Sequence, residues 1–267
     1  MQIPTPLLQP DESPPVRTIN PGGASPHLIL CDHAGRLVPR RLGGLGVAPA
    51  DMERHIAWDI GGEALSLLLG AALDATVILQ AYSRLVIDCN RAPGHPTSIP
   101  AISDGTPVPG NAGLDAAAIA ARISGIFAPY HAAIAAELDR RAAASHPCAV
   151  IAVHSFTPVF GGASRHWEAG VLHDRDPAFA LAVGALLREA GLVVGDNEPY
   201  QLCDESDYTV PVHAEARFLP YVELEIRQDL IADDAGQRRW AALLADVLPA
   251  AWDRAGSTRS DRWAPGR

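Results

Sequence analysis

The sequence predicts an α/β protein: a single domain with a mixed, mostly parallel central sheet and helices on both faces. Three observations predict this. Short, continuously apolar runs alternate with longer segments of helical periodicity. Most of the runs carry no polar alternation, as befits strands covered on both faces, while 219–228 alternates with Glu223, Glu225 and Arg227 on one side. Several of them stop in polar clusters: His33, then Asp88 with Asn90 and Arg91, then His154, then Asp196 with Asn197, then Glu223 with Glu225 and Arg227. In open α/β sheets the ligand crevice lies at the carboxyl ends of the strands, so these clusters are expected to share one site.

Taken in order, residues 1–25 are rich in Pro, Ser and Gly and are expected to form a loose arm. Residues 26–255 are expected to form the domain, and 256–267 a polar tail. The run 27–31 reads as a buried strand leading into Asp32, His33 and Gly35, where glycine permits a sharp turn. Residues 51–73 read as helical, with Asp51 as N-cap; His55 and Asp59, four apart, would then share a face. Residues 75–80 read as a strand, and 82–91 as an extended run with Arg84, Val86, Asp88 and Asn90 on one side. Five prolines and four glycines make 92–114 a long loop, of the kind that carries function. Residues 114–144 read as helix interrupted near Pro129. The run 149–153 is a strand that delivers His154. Further strands are expected at 169–173, 191–195 and 219–228, and helices at 176–190 and 234–252.

Composition narrows the function classes. The chain has 267 residues, 48% apolar and 19% charged, with net charge −10. This acidic balance, with a pI near 5.4, argues against a nucleic-acid partner or an anionic membrane surface. No apolar run approaches ~20 residues, so no membrane span is expected. All 21 cationic side chains are arginine, which removes a catalytic or Schiff-base lysine. Cys31, Cys89, Cys148 and Cys203 lack metal-binding spacing and are expected as free thiols. The start of the chain lacks a basic segment followed by an apolar core, so the expected location is the cytoplasm.

The polar strand ends supply hydrolytic chemistry. Two strand-end histidines and a carboxylate make a three-ligand zinc set that leaves a position for water. His33 and His154 are the histidines. Asp59, Asp32, Glu223 and Glu225 are the candidate carboxylates, and His55 with Asp59 is an alternative pair. Glu225, set between Leu224 and Ile226, invites a raised pKa suited to a general base. Asn90 and Arg91 could grip a substrate carboxylate or polarise a carbonyl. Ser155, Arg84 and Arg227 lie near the same strand ends and are further substrate-binding candidates. No nucleophile elbow and no dinucleotide fingerprint is present.

At these residues the chain resembles the N-formylglutamate amidohydrolase family. The similarity runs through Cys31-Asp-His33-Ala-Gly35, His55-Ile-Ala-Trp58-Asp59, Ser83-Arg84-Leu-Val-Ile-Asp88-Cys-Asn90-Arg91, Pro129-Tyr130-His131, His154-Ser-Phe-Thr-Pro158, Asp196-Asn197-Glu198-Pro199-Tyr200, His213-Ala-Glu215 and Glu223-Leu-Glu225-Ile-Arg227-Gln228. It covers about residues 27–250. The Asp-x-Asn-Arg run is also similar to that of zinc carboxypeptidases and aspartoacylases. The resemblance implies a phosphorylase/hydrolase-like fold and one zinc ion activating a water. It implies His33 and His154 as metal ligands, Asn90 and Arg91 as substrate-binding residues, and Glu225 as base. Those relatives use a His-x-x-Glu pair, but Arg36 occupies the Glu position here, so Asp59 is taken as third ligand. The implied activity is hydrolysis of an N-acyl amino acid, foremost N-formyl-L-glutamate to formate and L-glutamate, as in histidine degradation. The alternatives are a zinc peptidase or amidase acting on a short peptide or cell-wall fragment, and a non-catalytic amino-acid-binding protein.

Overall fold

The computed structural model describes residues 6–257. Seven strands form one sheet: β1 (Val16–Ile19), β2 (His27–Cys31), β3 (Thr76–Gln80), β6 (Ala149–Phe156), β9 (Ala169–Leu172), β10 (Val194–Asp196) and β11 (Tyr221–Arg227). Two small hairpins, β4 (Ile102–Ser103) with β5 (Thr106–Pro107) and β7 (Val159–Phe160) with β8 (Ala163–Ser164), stand apart from it. The sheet order is β1-β3-β2-β6-β11-β9-β10. The central strands β3, β2, β6 and β11 run parallel, while β1 and the β9–β10 pair run against them.

The apolar runs are strands because both sides of each are covered. Ile29, Val77, Ile151 and Leu224 face a core closed by helices α1 (Gly62–Leu73), α4 (Ala178–Glu189) and α5 (Asp234–Ser257). Leu28, Ile78, Val150 and Tyr221 face the opposite core, closed by α3 (Ala128–Ala143) and by loop residues such as Leu85 and Ile87. The short α2 (Ala116–Arg122) and a π-helical turn (Ile123–Phe127) precede α3 without a break, with Pro129 in its first turn. So the interruption expected at Pro129 is a widening of the helix just before it. The stretch Ala116–Ala143 is long and apolar enough to cross a membrane by length and composition. Tyr130, Ile134 and Leu138 bury the α3 face in the core instead, beside a buried Glu137–Arg141 pair. The four cysteines are free.

Four expectations are corrected. Within 1–25, residues 16–19 are not loose: they pair antiparallel with β3 as an edge strand. Helix α5 continues to Ser257, past the expected boundary at 255; residues 1–5 and 258–267 of the expected arm and tail lie outside the described residues. Only Gly62–Leu73 of the expected 51–73 helix is α-helical. Upstream, backbone groups bond to neighbouring loops, with the Asp59 N–H donating to His33 O and the Arg84 N–H donating to Ala57 O. Gly61, at φ +82°, turns the chain into α1, and a Cβ there would lie 2.2 Å from Ile231 O. His55 and Asp59 therefore do not share a helical face. Finally, 82–91 is a series of turns. β3 already pairs on both edges, with β1 and β2, and after Tyr82, which bridges Leu37 in parallel, the run turns away from the sheet. Its N–H groups find local partners, Val86 donating to Ser83 O and Asp88 donating to Ser98 O.

Candidate active site

Three strand ends and two loops build the site. β2 runs into Asp32 and His33, and the chain then passes under the loop that follows β3. A Cβ at Gly35 would lie 1.9 Å from Ala81 O, so glycine sets how closely these two segments approach. β6 delivers His154. β11 delivers Glu223 and Glu225 on the same side of the sheet, with Glu225 in register with His154 and Glu223 with Ala152. The turn before α1 brings Asp59, and the turns after β3 bring Arg84, Asp88, Asn90 and Arg91. A cavity of about 300 Å³ opens where these groups meet.

At its floor, His33, Asp59 and His154 each offer a ligand atom, and these atoms lie within 4.8 Å of one another. Asp59 Oδ2 lies 3.3 Å from His33 Nδ1 and 2.9 Å from His154 Nδ1. The far nitrogen of each ring faces another carboxylate: His33 Nε2 lies 2.8 Å from Asp88 Oδ1, and His154 Nε2 lies 3.3 Å from Asp32 Oδ2. Arg84 ties this outer layer together, donating to Asp88 Oδ2 at 2.7 Å and to Asp59 Oδ1 at 3.3 Å. The Ser155 N–H donates to Asp59 Oδ2 and the Thr209 hydroxyl donates to Asp32 Oδ1. All five of the acidic and imidazole groups in this network are at most 4% exposed.

The charges follow from this packing. Burial alone would raise Asp59, but the charge of His33 and hydrogen bonds from His154 and His33 outweigh it and hold the carboxyl below its usual range. Asp32 is likewise brought down to about 2, its burial opposed first by the hydrogen bond from His154. Burial works against the His154 charge too, yet its bonds to Asp32 and Asp59 push it well above an ordinary histidine. Glu225 goes the other way. Burial raises it to about 7, partly offset by the His154 charge. Glu223 is raised as well, by burial and then by Asp207. Glu225 Oε2 and Glu223 Oε2 are buried without a hydrogen-bond partner.

This donor set fits a catalytic zinc ion. Two imidazole nitrogens and a carboxylate converge, and each imidazole has its far nitrogen against a carboxylate, as metal-binding histidines do. A partnerless carboxyl, Glu225, lines the same cavity.

The other candidates sort by what they touch. Arg91 lines the cavity and donates to Asn90 O, 3.4 Å from Asp207 Oδ1. Asn90 also lines it, but its amide is committed: it donates to Asp207 and accepts from the Tyr208 and Thr209 N–H groups. Ser155 lines the cavity with its hydroxyl donating to Ile60 O. Arg227 is not brought in. At the end of β11 it swings to Asp229 and donates to the Arg165 and Trp167 carbonyls, so it braces a loop. Arg36 stacks on Trp58, 5.0 Å from the ring centroid, and pairs with Glu53. Sequence reasoning gave no role to Asp88, Asp207 or Tyr200, all beside the cavity. Asp88 sits in the Asp-x-Asn-Arg run, which was the available signal. Nothing in the 203–207 loop distinguishes Asp207 from a surface acid.

Fold and site together define a single-domain α/β protein with a buried histidine–carboxylate cluster at the ends of its parallel strands. The chain matches the family model for N-formylglutamate amidohydrolase over residues 25–232. It belongs to that family and is a hydrolase acting on an amide. The gene product Atu2144 from Agrobacterium tumefaciens superposes with a TM-score of 0.90 at 36% identity, covering 92% of this chain and 98% of its own. An N-formylglutamate amidohydrolase from Ralstonia eutropha JMP134 shares the fold with a TM-score of 0.68 at 21% identity, over 93% and 99% of the two chains. No curated protein matches the chain.

Proposed function

We propose that this chain is a zinc-dependent amidohydrolase that cleaves the amide of an N-acyl amino acid, with N-formyl-L-glutamate as the reference substrate that the family brings to it. One observation carries the reading: His33 Nδ1, His154 Nδ1 and Asp59 Oδ2 converge, and the carboxyls of Glu223 and Glu225 in the same cavity wall each keep a buried oxygen without a hydrogen-bond partner. His33, Asp59 and His154 would hold the zinc ion, which when bound would supply a water of lowered pKa and a Lewis acid for the acyl carbonyl.

The chain's own residues do the rest. Glu225, poised near neutrality, takes the proton of the attacking water at its free Oε2 and returns it to the nitrogen of the departing amine. Arg91 faces the cavity and holds the substrate carboxylate or the developing oxyanion. Arg84, engaged with Asp59 and Asp88, fixes the ligand carboxylate rather than meeting substrate. Asn90 anchors the 206–209 segment that carries Asp207, and so sets the position of Arg91. Ser155 orients Asp59 through its N–H.

The test is metal analysis of the purified protein together with release of formate or free amino acid from a small N-acyl panel. One equivalent of zinc and turnover that chelation abolishes support the reading. Zinc near zero with no activity gained on adding it would favour a binding protein. Glu225→Gln should lower kcat by about 10²–10⁴-fold with zinc content unchanged; an active variant rejects Glu225 as base.

A further inference from the structure

Beyond the cluster, a second hollow of about 340 Å³ adjoins the first across His55, Arg84, Arg91 and Tyr200, which line both. Its character is different. Every charged side chain in its wall already faces an opposite charge. Arg84 pairs with Asp59 and Asp88, Arg91 with Asp207, and Asp104 with both Arg54 and His55. With Arg91 already taken by the substrate's first carboxylate or its oxyanion, a second carboxylate placed here would leave water and find no further cation in this wall without an acidic partner.

The rest of the wall is mostly apolar, with Thr97 and Ser103 as its small polar members. Ile102, from the β4–β5 hairpin, is 67% exposed; Phe160, from the β7–β8 hairpin, is 47% exposed; Tyr200 is 41% exposed. Large apolar groups left bare beside a catalytic cavity mark a place where something apolar packs. The rings are also held in place. The Arg165 guanidinium lies 4.7 Å from the Phe160 centroid and 4.8 Å from that of Tyr200, and it donates to the Tyr200 hydroxyl at 2.9 Å.

We propose that this hollow binds the part of the substrate beyond the scissile amide, and that this part is aromatic or branched aliphatic. The enzyme then prefers N-acyl amino acids with such side chains over N-formyl-L-glutamate. This rests on the amide-hydrolase reading above and sharpens its substrate.

The experiment compares N-formyl-L-phenylalanine, N-formyl-L-glutamate and N-formylglycine on the zinc-loaded enzyme. The phenylalanine substrate should show kcat/KM about tenfold or more above the other two, the scale on which apolar pockets discriminate. Phe160→Ala should lower that value about tenfold through KM and leave N-formylglycine unchanged, and Phe160→Leu should restore part of it. Equal or better use of the glutamate substrate overturns the proposal, as does a Phe160→Ala loss shared by all three. Binding separates this from the hydrolase reading. Calorimetry on zinc-loaded Glu225→Gln, with N-acetyl-L-phenylalanine and N-acetylglycine as probes, should favour the aromatic probe about tenfold. If nothing in the panel turns over and that preference still holds, the hollow stands and the hydrolase reading falls. If the two probes bind equally, the exposed rings serve another occupant and the proposal falls.

Discussion

Two pairs of buried histidines lie in this molecule, one on each side of the line between site and scaffold. His33 and His154 have ring centroids 4.9 Å apart; His131 and His213 have theirs 5.1 Å apart. All four are at most 8% exposed. Their partners differ completely. In the first pair every ring nitrogen faces a carboxylate. In the second, His131 Nδ1 meets His213 Nε2 at 2.9 Å, His131 Nε2 meets Cys89 O at 2.9 Å, and the rings stack within 10° of parallel. The carboxylates push His154 up, whereas burial brings His131 down to about 4 and His213 to about 3. Neighbours therefore decide the role: imidazoles ringed by anions can hold a cation, and imidazoles ringed by neutral groups hold up a core.

The comparison can be broken most forcefully at its shared carboxylate. Asp59→Ala should abolish zinc binding and reduce turnover by at least about 10³-fold, because both imidazoles lose their common partner; metal analysis and kinetics check this. Next in size is Asp88→Asn, which leaves His33 in place with a weaker partner. Zinc affinity should fall about 10–100-fold, read by competition with a chelator. His213→Phe should do the opposite. It leaves His131 Nδ1 unpaired and should cost about 1–3 kcal/mol in denaturant unfolding, with zinc affinity unchanged. A loss of zinc in that variant would erase the distinction between the pairs.

Proton uptake sharpens the comparison further. Unfolded His131 and His213 titrate near 6.5, but folded they stay neutral down to about 4 and about 3. The unfolded chain thus binds more protons in that window, and the pair's stabilisation, present above pH 6.5, is lost as pH falls toward 4. Glu225 has the opposite sign. Folded, it keeps its proton to about 7 against a usual 4.5, so in zinc-free protein its contribution weakens as pH rises through that interval, by about 3 kcal/mol. Unfolding titrations at several pH values should show a flatter neutral slope in Glu225→Gln and a flatter acid slope in His213→Phe.

Much of the site was legible in sequence because a strand fixes the side to which it delivers a residue. The runs 149–153 and 219–228 marked His154 and Glu225 as strand-borne, and the apolar pattern of 27–31 put His33 at another strand end; the parallel register of β6 and β11 is what sets Glu225 beside His154. Asp59 was one of four candidate carboxylates in the residues and was singled out among them only by a resemblance, since its supposed helix is a turn tied to His33 and Arg84. Arg227 misled because alternation says which face a residue leaves from, but not where a long side chain settles at a strand's last position.

Sequence by itself determined the layered α/β architecture, the strand ends and the stock of imidazoles and carboxylates, since burial on both faces leaves an unbroken apolar signature. Only the tertiary structure decided which acids meet which histidines, that Arg84 serves Asp59 and Asp88, and that His131 and His213 face one another. Those pairings join residues up to 122 positions apart at the site (Asp32 with His154) and 82 at the stacked pair, and they follow from how turns cross the sheet edge. No local pattern encodes that crossing.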